Sequence, residues 1–362
     1  MTFLSFVLAF VGFAMLVILH ELGHFSAAKA VGMRVEKFSL FFPPTLASKK
    51  IGETTYAIGA IPAGGYVKIT GMNPDEDLPD EVRDRAYHAQ PVWKRIVVIA
   101  AGPAVNLALA FALMFMYFAV VGPYDTGVAK VEKGYPAVGK LHVGDKIVGV
   151  DGHRVDPDSD FSKLIARHHC SQRPPTAGCR AATPVRITVD REGRRRTFEM
   201  TPVYDPRAKR TRTGFQYGDL ETRANLSFGE AIDLSADRFW FITKATVELP
   251  ARLINPEQRK EISGVVGSYE RTRQTILHKS EDVIGILAII SLSLAIVNLF
   301  PFLPLDGGHI FWAIVEAVRR RPVPLAVMER AGVVGFMLVI LIFLIGLSND
   351  IDRLSGEGFR VR

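Results

Sequence analysis

The chain of 362 residues is poor in several things a soluble metalloprotein would use. It has only two cysteines, Cys170 and Cys179, too few for a cysteine-based zinc module. No side chain from Met1 to Leu19 is charged, and after His24 the next charge is Lys29. That excludes an amphipathic surface helix, which needs a polar far face. Charge is also missing from residues 96–124, 283–305 and 331–349, each an apolar run of spanning length. The second and fourth of these runs offer no charged side chain to a passing ion, which disfavours a metal transporter. No basic segment precedes the first run and no small-residue cleavage site follows it, so it is expected to be a retained span and not a removed leader. The net charge of +7 lies in Arg319–Arg321 and in residues 186–212, with no nucleic-acid-binding fold around either. We read the first as a cytoplasmic loop and the second as a solvated hairpin, and expect no nucleic-acid partner.

Within the first uncharged run stands His20-Glu21-Leu22-Gly23-His24, an HExxH pattern. Residues four apart share one helix face, so His20 and His24 can grip one ion. Two neutral imidazoles suit Zn²⁺, with a carboxylate to complete the protein ligands and one position left for water. Glu21 lies beside the ion and outside its ligand set, placed to take a proton from that water. Ionisable groups inside a span are costly, and by default they are functional. If Lys29 marks the membrane edge, Glu21 lies about 12 Å inside it at the helical rise of about 1.5 Å per residue.

The remaining chain reads as a polytopic α-helical membrane protein of about four spans with an inserted α+β domain and a membrane-associated β-loop. Residues 1–124 form its first membrane half, in which weak alternation over Thr54–Ala60, punctuation at Pro62, Gly64 and Gly65 and renewed alternation from Tyr66 to Thr70 predict a β-hairpin or β-loop. Gly64, Gly65 and Tyr66 are candidate substrate-binding residues, because an unpaired strand edge near a protease site can accept an extended peptide. Gly102, Pro103 and Asn106 lie in the second span, where small residues allow close helix packing and Asn106 can hydrogen-bond across to another helix. Residues 125–203 predict short strands around a possible helix, and Tyr135–Gly152 resembles a stretch of bacterial PDZ domains, which bind peptide ends. Residues 204–282 predict a linker with an amphipathic helix region over Phe228–Ile254, which either lies along the membrane surface or forms the core of a soluble subdomain. Residues 283–362 form the second membrane half, where Pro301 and Pro304 should break the helix and expose backbone. Asp306 sits at that break and is the missing carboxylate ligand in type and in depth.

Charge places the chain ends and the domain on the outside. Lys29, Arg34, Lys37, Lys94 and Arg95 flank one loop, and Arg319–Arg321 and Arg330 another, so both loops should be cytoplasmic. The inner ends of spans one and three, with HExxH and Asp306, then share a leaflet. Cys170 and Cys179 fall outside, where a disulfide persists.

Five features in this order are similar to the site-2 protease family, most of all to the bacterial regulator-of-sigma-E type. They are HExxH in span one, Gly-Gly-Tyr-Val-Lys at 64–68, Trp-Lys-Arg with Ala-Gly-Pro and Asn at 93–106, the PDZ-like stretch, and Leu-Asp-Gly at 305–307. The resemblance implies an intramembrane zinc endopeptidase of a bacterial cytoplasmic membrane, cutting single-span proteins such as trimmed anti-sigma factors. It implies zinc on His20, His24 and Asp306, Glu21 as base, and Asn298 holding unwound substrate. Leu40-Phe41-Phe42-Pro43 replaces the family's frequent Gly-Phe-Gly-Pro, Pro304 follows Asn298 by six residues where five is common, and Ile262–Gly267 lacks a frequent proline. The rival of another class is a membrane-bound PDZ scaffold or chaperone with an idle metal site. The intact Glu21 disfavours it, since a structural site needs no base.

Overall fold

A computed structural model describes residues 2–73, 76–155, 162–170, 172, 174–255, 259, 267 and 282–355. It divides into two compact units, residues 1–121 with 227–362, and residues 122–226.

The first unit is helical. Helix α1 runs Thr2–Ala30, and α2 runs Val92–Met116 with a π-turn over Tyr117–Val121. Helix α3 is Phe228–Val247, α4 Val283–Asn298, α5 Asp306–Arg319 and α6 Leu325–Ser355. Phe10–Ala30, Val92–Val121 and Ala326–Asp352 are long and apolar enough to cross a membrane. On α6, Val333, Val334, Phe336, Met337 and Leu341 are exposed, as expected of a surface solvated by lipid and not water. The third expected span is shorter than its uncharged run: α4 stops at Asn298 with 16 residues. Pro301 and Pro304 lie just beyond and cannot continue its ladder. Conversely, α6 continues through Asp350, where a polar tail was expected. Asp350 is fully buried and accepts the Gly267 N–H at 2.7 Å.

Strands β1 (Val35–Ile51) and β2 (Thr54–Ile69) form one sheet. The turn expected at Pro62–Gly65 is instead a bend inside β2, whose two arms do not pair with each other: Lys37–Leu40 lies between them, with Thr55–Ile58 on one side and Gly65–Lys68 on the other. Gly65–Ile69 has no strand beyond it among the described residues. A core of Ala28, Met33, Val35, Ile69, Tyr87, Val98 and Ile99 fastens this sheet to the ends of α1 and α2. Glu53, at the β1–β2 turn, receives both Arg85 and Lys29, the last charge of α1. Arg85 first, then Lys29, hold the Glu53 carboxyl down at about 2.

The second unit holds β3 (Tyr124–Val131), β4 (Lys146–Val150), β5 (His153–Arg154), β6 (Val185–Arg191), β7 (Arg194–Met200), β8 (Val203–Asp205), β9 (Arg210–Arg212) and β10 (Phe215–Arg223). Four of them make a sheet in the order β5-β4-β6-β7. Val185, Ile187 and Val189 alternate into its core with Val128, Ile147, Val150 and Met200, the period-two burial of a strand with one covered face. A short helix, Ser162–Ala166, adds Ile165 to that core. The unit extends past residue 203, because β10 pairs with β3 and so closes at Leu226. Cys170 and Cys179 are joined in a disulfide. The stretch Ile262–Val266 lies outside the described residues.

Candidate active site

Helix α1 presents His20 and His24 on one face, and both are 7% exposed. Asp306 arrives from the far end of the chain as the first residue of α5. The residue before it, Leu305, is extended and makes no side-chain cap. Asp306 is therefore not spent on capping its own helix, the ordinary use of an aspartate at such a place.

Three ligand atoms converge. His20 Nε2 and His24 Nε2 are 3.2 Å apart, and Asp306 Oδ2 is 3.2 Å from the first and 3.3 Å from the second. Bond lengths of about 2.0–2.1 Å to a tetrahedral zinc require ligand-to-ligand edges of about 3.3–3.4 Å. The triangle matches the face of such a tetrahedron. Asp306 Oδ2 is buried and accepts no hydrogen bond among the described residues. An ionised oxygen left in that position is costly unless a cation meets it. The donor set and the orphaned oxygen together fit a zinc ion.

Supports for the triangle come from α2. His24 Nδ1 is 2.9 Å from the Val98 carbonyl. Since a carbonyl only accepts, Nδ1 carries the proton and Nε2 keeps its lone pair for a metal. A side chain on Gly102 would run its Cβ into the His24 ring, so only glycine lets α2 approach this closely. Asn106, fully buried one turn further along, places its amide nitrogen 3.3 Å from His20 Nδ1. Arg95 near the start of α2 grips Glu316 of α5 with two hydrogen bonds of 2.7 and 2.9 Å, tying the helix that carries Asp306 to α2.

Glu21 stands next to the triangle and against the β-sheet edge. A Cβ on Gly65 would lie 2.9 Å from Glu21 Cγ and 3.0 Å from the Ser39 carbonyl. The edge strand thus reaches the side chain expected to act as base. Tyr66 stacks on Phe42 with ring centres 6.1 Å apart, and Lys37 lies over its ring. Gly64 packs against the same Phe42 ring. Asn298 is the last residue of α4 and half-buried, and its amide has no hydrogen-bond partner among the described residues. His20, Glu21, His24, Asp306 and Gly65 are brought together directly. Gly64 and Tyr66 join them through the strand, and Asn298 stands at the helix end that leads to Asp306.

Sequence reasoning did not find Val98 or the Arg95–Glu316 pair. A backbone carbonyl carries no residue signature, and the pair spans 221 positions. Asn106 was expected to bond across helices, but its partner was not identified. The only available signal was its four-residue spacing from Gly102, which puts both on one face.

Relatives resemble the chain over nearly its full length. A Brucella suis protein assigned by name as a zinc metalloprotease is 29% identical over 369 residues, covering 92% of each chain. A Campylobacter jejuni protein of the same assigned name is 27% identical, covering 94% of this chain and 92% of its own. One from Clostridium perfringens is 28% identical, covering 95% and 98%. Residues 8–342, from the first turns of α1 to the body of α6, match a single family, and the chain belongs to it: peptidase family M50, the site-2 protease family of zinc metalloproteases.

Proposed function

We propose that this metalloprotease cuts peptide bonds within the membrane. Its substrates would be single-span proteins that a first cut outside has shortened, such as anti-sigma factors. The observation that carries the reading is the His20, His24 and Asp306 triangle with Glu21 beside it, on a helix of spanning length and composition. His20, His24 and Asp306 would hold the zinc. When bound, zinc polarises the scissile carbonyl and makes water acidic enough to lose a proton near neutral pH. Glu21 takes that proton and delivers it to the leaving amine, the two halves of general acid–base catalysis.

A helical peptide bond hides its carbonyl in the i to i−4 ladder, so the substrate must unwind before it is cut. The free edge at Gly64, Gly65 and Tyr66 offers the unwound segment new backbone partners beside Glu21. The Asn298 amide, which has no partner among the described residues, can hold a further substrate carbonyl. In this reading the shorter apolar helix α4 completes a four-span bundle, the basic loops face the cytoplasm and the termini and residues 122–226 lie outside; the membrane would be the bacterial cytoplasmic one that the family resemblance implies. That unit would serve as a PDZ-like domain for extended peptide ends.

The test is cleavage of a single-span membrane substrate by the purified, zinc-loaded protein. Glu21→Gln should retain zinc and lose cleavage by on the order of 10²–10⁴-fold. Equal cleavage by wild type and variant would remove Glu21 from the chemistry. No cleavage by a zinc-loaded wild type would favour the idle scaffold.

A further inference from the structure

Helices α1 and α2 meet in a register that serves the two histidines in turn. His24 contacts Val98 and Gly102, while His20 contacts Asn106. As numbers rise on one helix they fall on the other, so the helices run antiparallel and each histidine has its own level of α2. At His24 a carbonyl settles which ring nitrogen holds the proton. At His20 the corresponding neighbour is the side-chain amide of Asn106, which has a donor end and an acceptor end.

The amide nitrogen at 3.3 Å from His20 Nδ1 can only donate. A neutral imidazole accepting there carries its proton on Nε2, the atom that points at Asp306. Such a ring cannot give Nε2 to a metal. Turning the amide about Cβ–Cγ exchanges two atoms of nearly equal size and puts Oδ1 on Nδ1–H. Nε2 is then free to bind. In the present orientation Oδ1 is buried with no partner among the described residues. Buried polar atoms are rarely left so, and those that are call for a functional reason. The residue is anchored independently of its amide, because Ser291 of α4 donates to its backbone carbonyl at 2.9 Å.

We propose that Asn106 is a positioning residue for zinc: its side-chain oxygen receives the Nδ1 proton of His20 and thereby fixes the tautomer that binds metal. This rests on His20 being a zinc ligand. His20→Ala, which should abolish zinc binding, tests that premise separately.

The inference itself is tested on full-length protein in detergent, by zinc competition against a chelator and by the visible spectrum of the cobalt(II)-loaded form. Asn106→Leu keeps the size and removes the acceptor, and should weaken zinc binding by about 10–100-fold. It should also shift the cobalt bands, which report the ligand field and not the fold. Asn106→Asp offers an acceptor at either end and should restore zinc affinity to within a few-fold of wild type, together with the spectrum. Ser291→Ala, which loses only the backbone anchor, should bind zinc as wild type does. Wild-type zinc affinity in Asn106→Leu would overturn the proposal. So would a loss of affinity in Asn106→Asp as large as in the leucine variant. If Asn106→Leu does not fold, the aspartate variant decides alone: ten-fold weaker zinc sinks the idea and near-wild-type zinc with an unchanged cobalt spectrum upholds it.

Discussion

Asp145 and Asp205 in the 122–226 unit and Asp306 in the helical unit are largely buried carboxylates surrounded in opposite ways. Asp145 receives Arg191 through two hydrogen bonds of 2.6 and 2.7 Å, and the His142 N–H at 2.8 Å. Asp205 receives Arg212, the Tyr135 hydroxyl and the backbone N–H groups of Arg207 and Ala208. Every oxygen of both is bonded from inside the protein. Asp306 Oδ2 has two imidazole nitrogens at hydrogen-bond distance and, among the described residues, no hydrogen bond. A carboxylate saturated by its own fold is structural. One brought into a buried place and left unsaturated is held for something the fold does not contain.

The sharpest way to break this contrast is to neutralise the unsaturated carboxylate, with the neighbouring Glu21 as its control. Asp306→Asn should lose zinc and all measurable cleavage, while Glu21→Gln should lose cleavage and keep its zinc. Metal analysis showing full zinc in Asp306→Asn would put Asp306 on the structural side. A smaller effect belongs to the covalent tie in the other unit. Cys170 and Cys179 close a short loop worth about 2–3 kcal/mol by chain entropy. Cys170→Ser with Cys179→Ser should speed hydrogen exchange in β6 and β7 and leave zinc content unchanged. Unaltered exchange would show that the loop contributes nothing to the unit. Asp145→Asn should remove about 1.5–3 kcal/mol from the same unit by weakening its bond with Arg191, again without touching zinc. Zinc loss in this variant would erase the division between the two kinds of carboxylate.

The legibility of these features followed how local their causes are. HExxH declares itself because both ligands and the base lie within one turn and a half of one helix. Asp306 is legible because a carboxylate after a proline-broken span matches, in type and in depth, the need of two histidines. The strand at Val185–Val189 is legible because one of its faces is covered and the other is not. Strand β1 is not. Phe41 at φ 70°, Pro43 and Pro44, and Lys49 with Lys50 destroy its alternation, and its shape comes from pairing with β2 on both sides. The closing strand β10 was missed because its partner β3 lies about ninety residues away. The contact of Gly65 with Glu21 and of Asn106 with His20 depends on how helices and sheet are docked, which no single stretch encodes.

The smallest effect is acid sensitivity, and it separates the two ways of surrounding a carboxylate by their protons. Arg212 holds the Asp205 carboxyl down to about 2, helped by the Arg207 and Ala208 N–H groups and Tyr135. Burial by itself would raise the Asp145 carboxyl, but Arg191 and the His142 N–H bring it below the usual range. An unfolded aspartate titrates near about 3.9. A folded carboxyl depressed below that gives stability that is fully present above about pH 4 and is lost as pH falls through the folded value. Hydrogen exchange in β6 and β7 of the full-length protein should therefore show protection falling between about pH 4 and pH 2, once corrected for the intrinsic rate. Asp205→Asn, which cannot titrate, should begin with less protection at pH 5 and lose less of it on acidification. The remaining loss should come from Asp145, and disappear in the double variant with Asp145→Asn. If protection in wild type is flat across that window, the depressed carboxyls are not what couples this unit to pH. If the Asp205→Asn curve runs parallel to wild type, Arg212 holds the unit together without depending on the charge of Asp205.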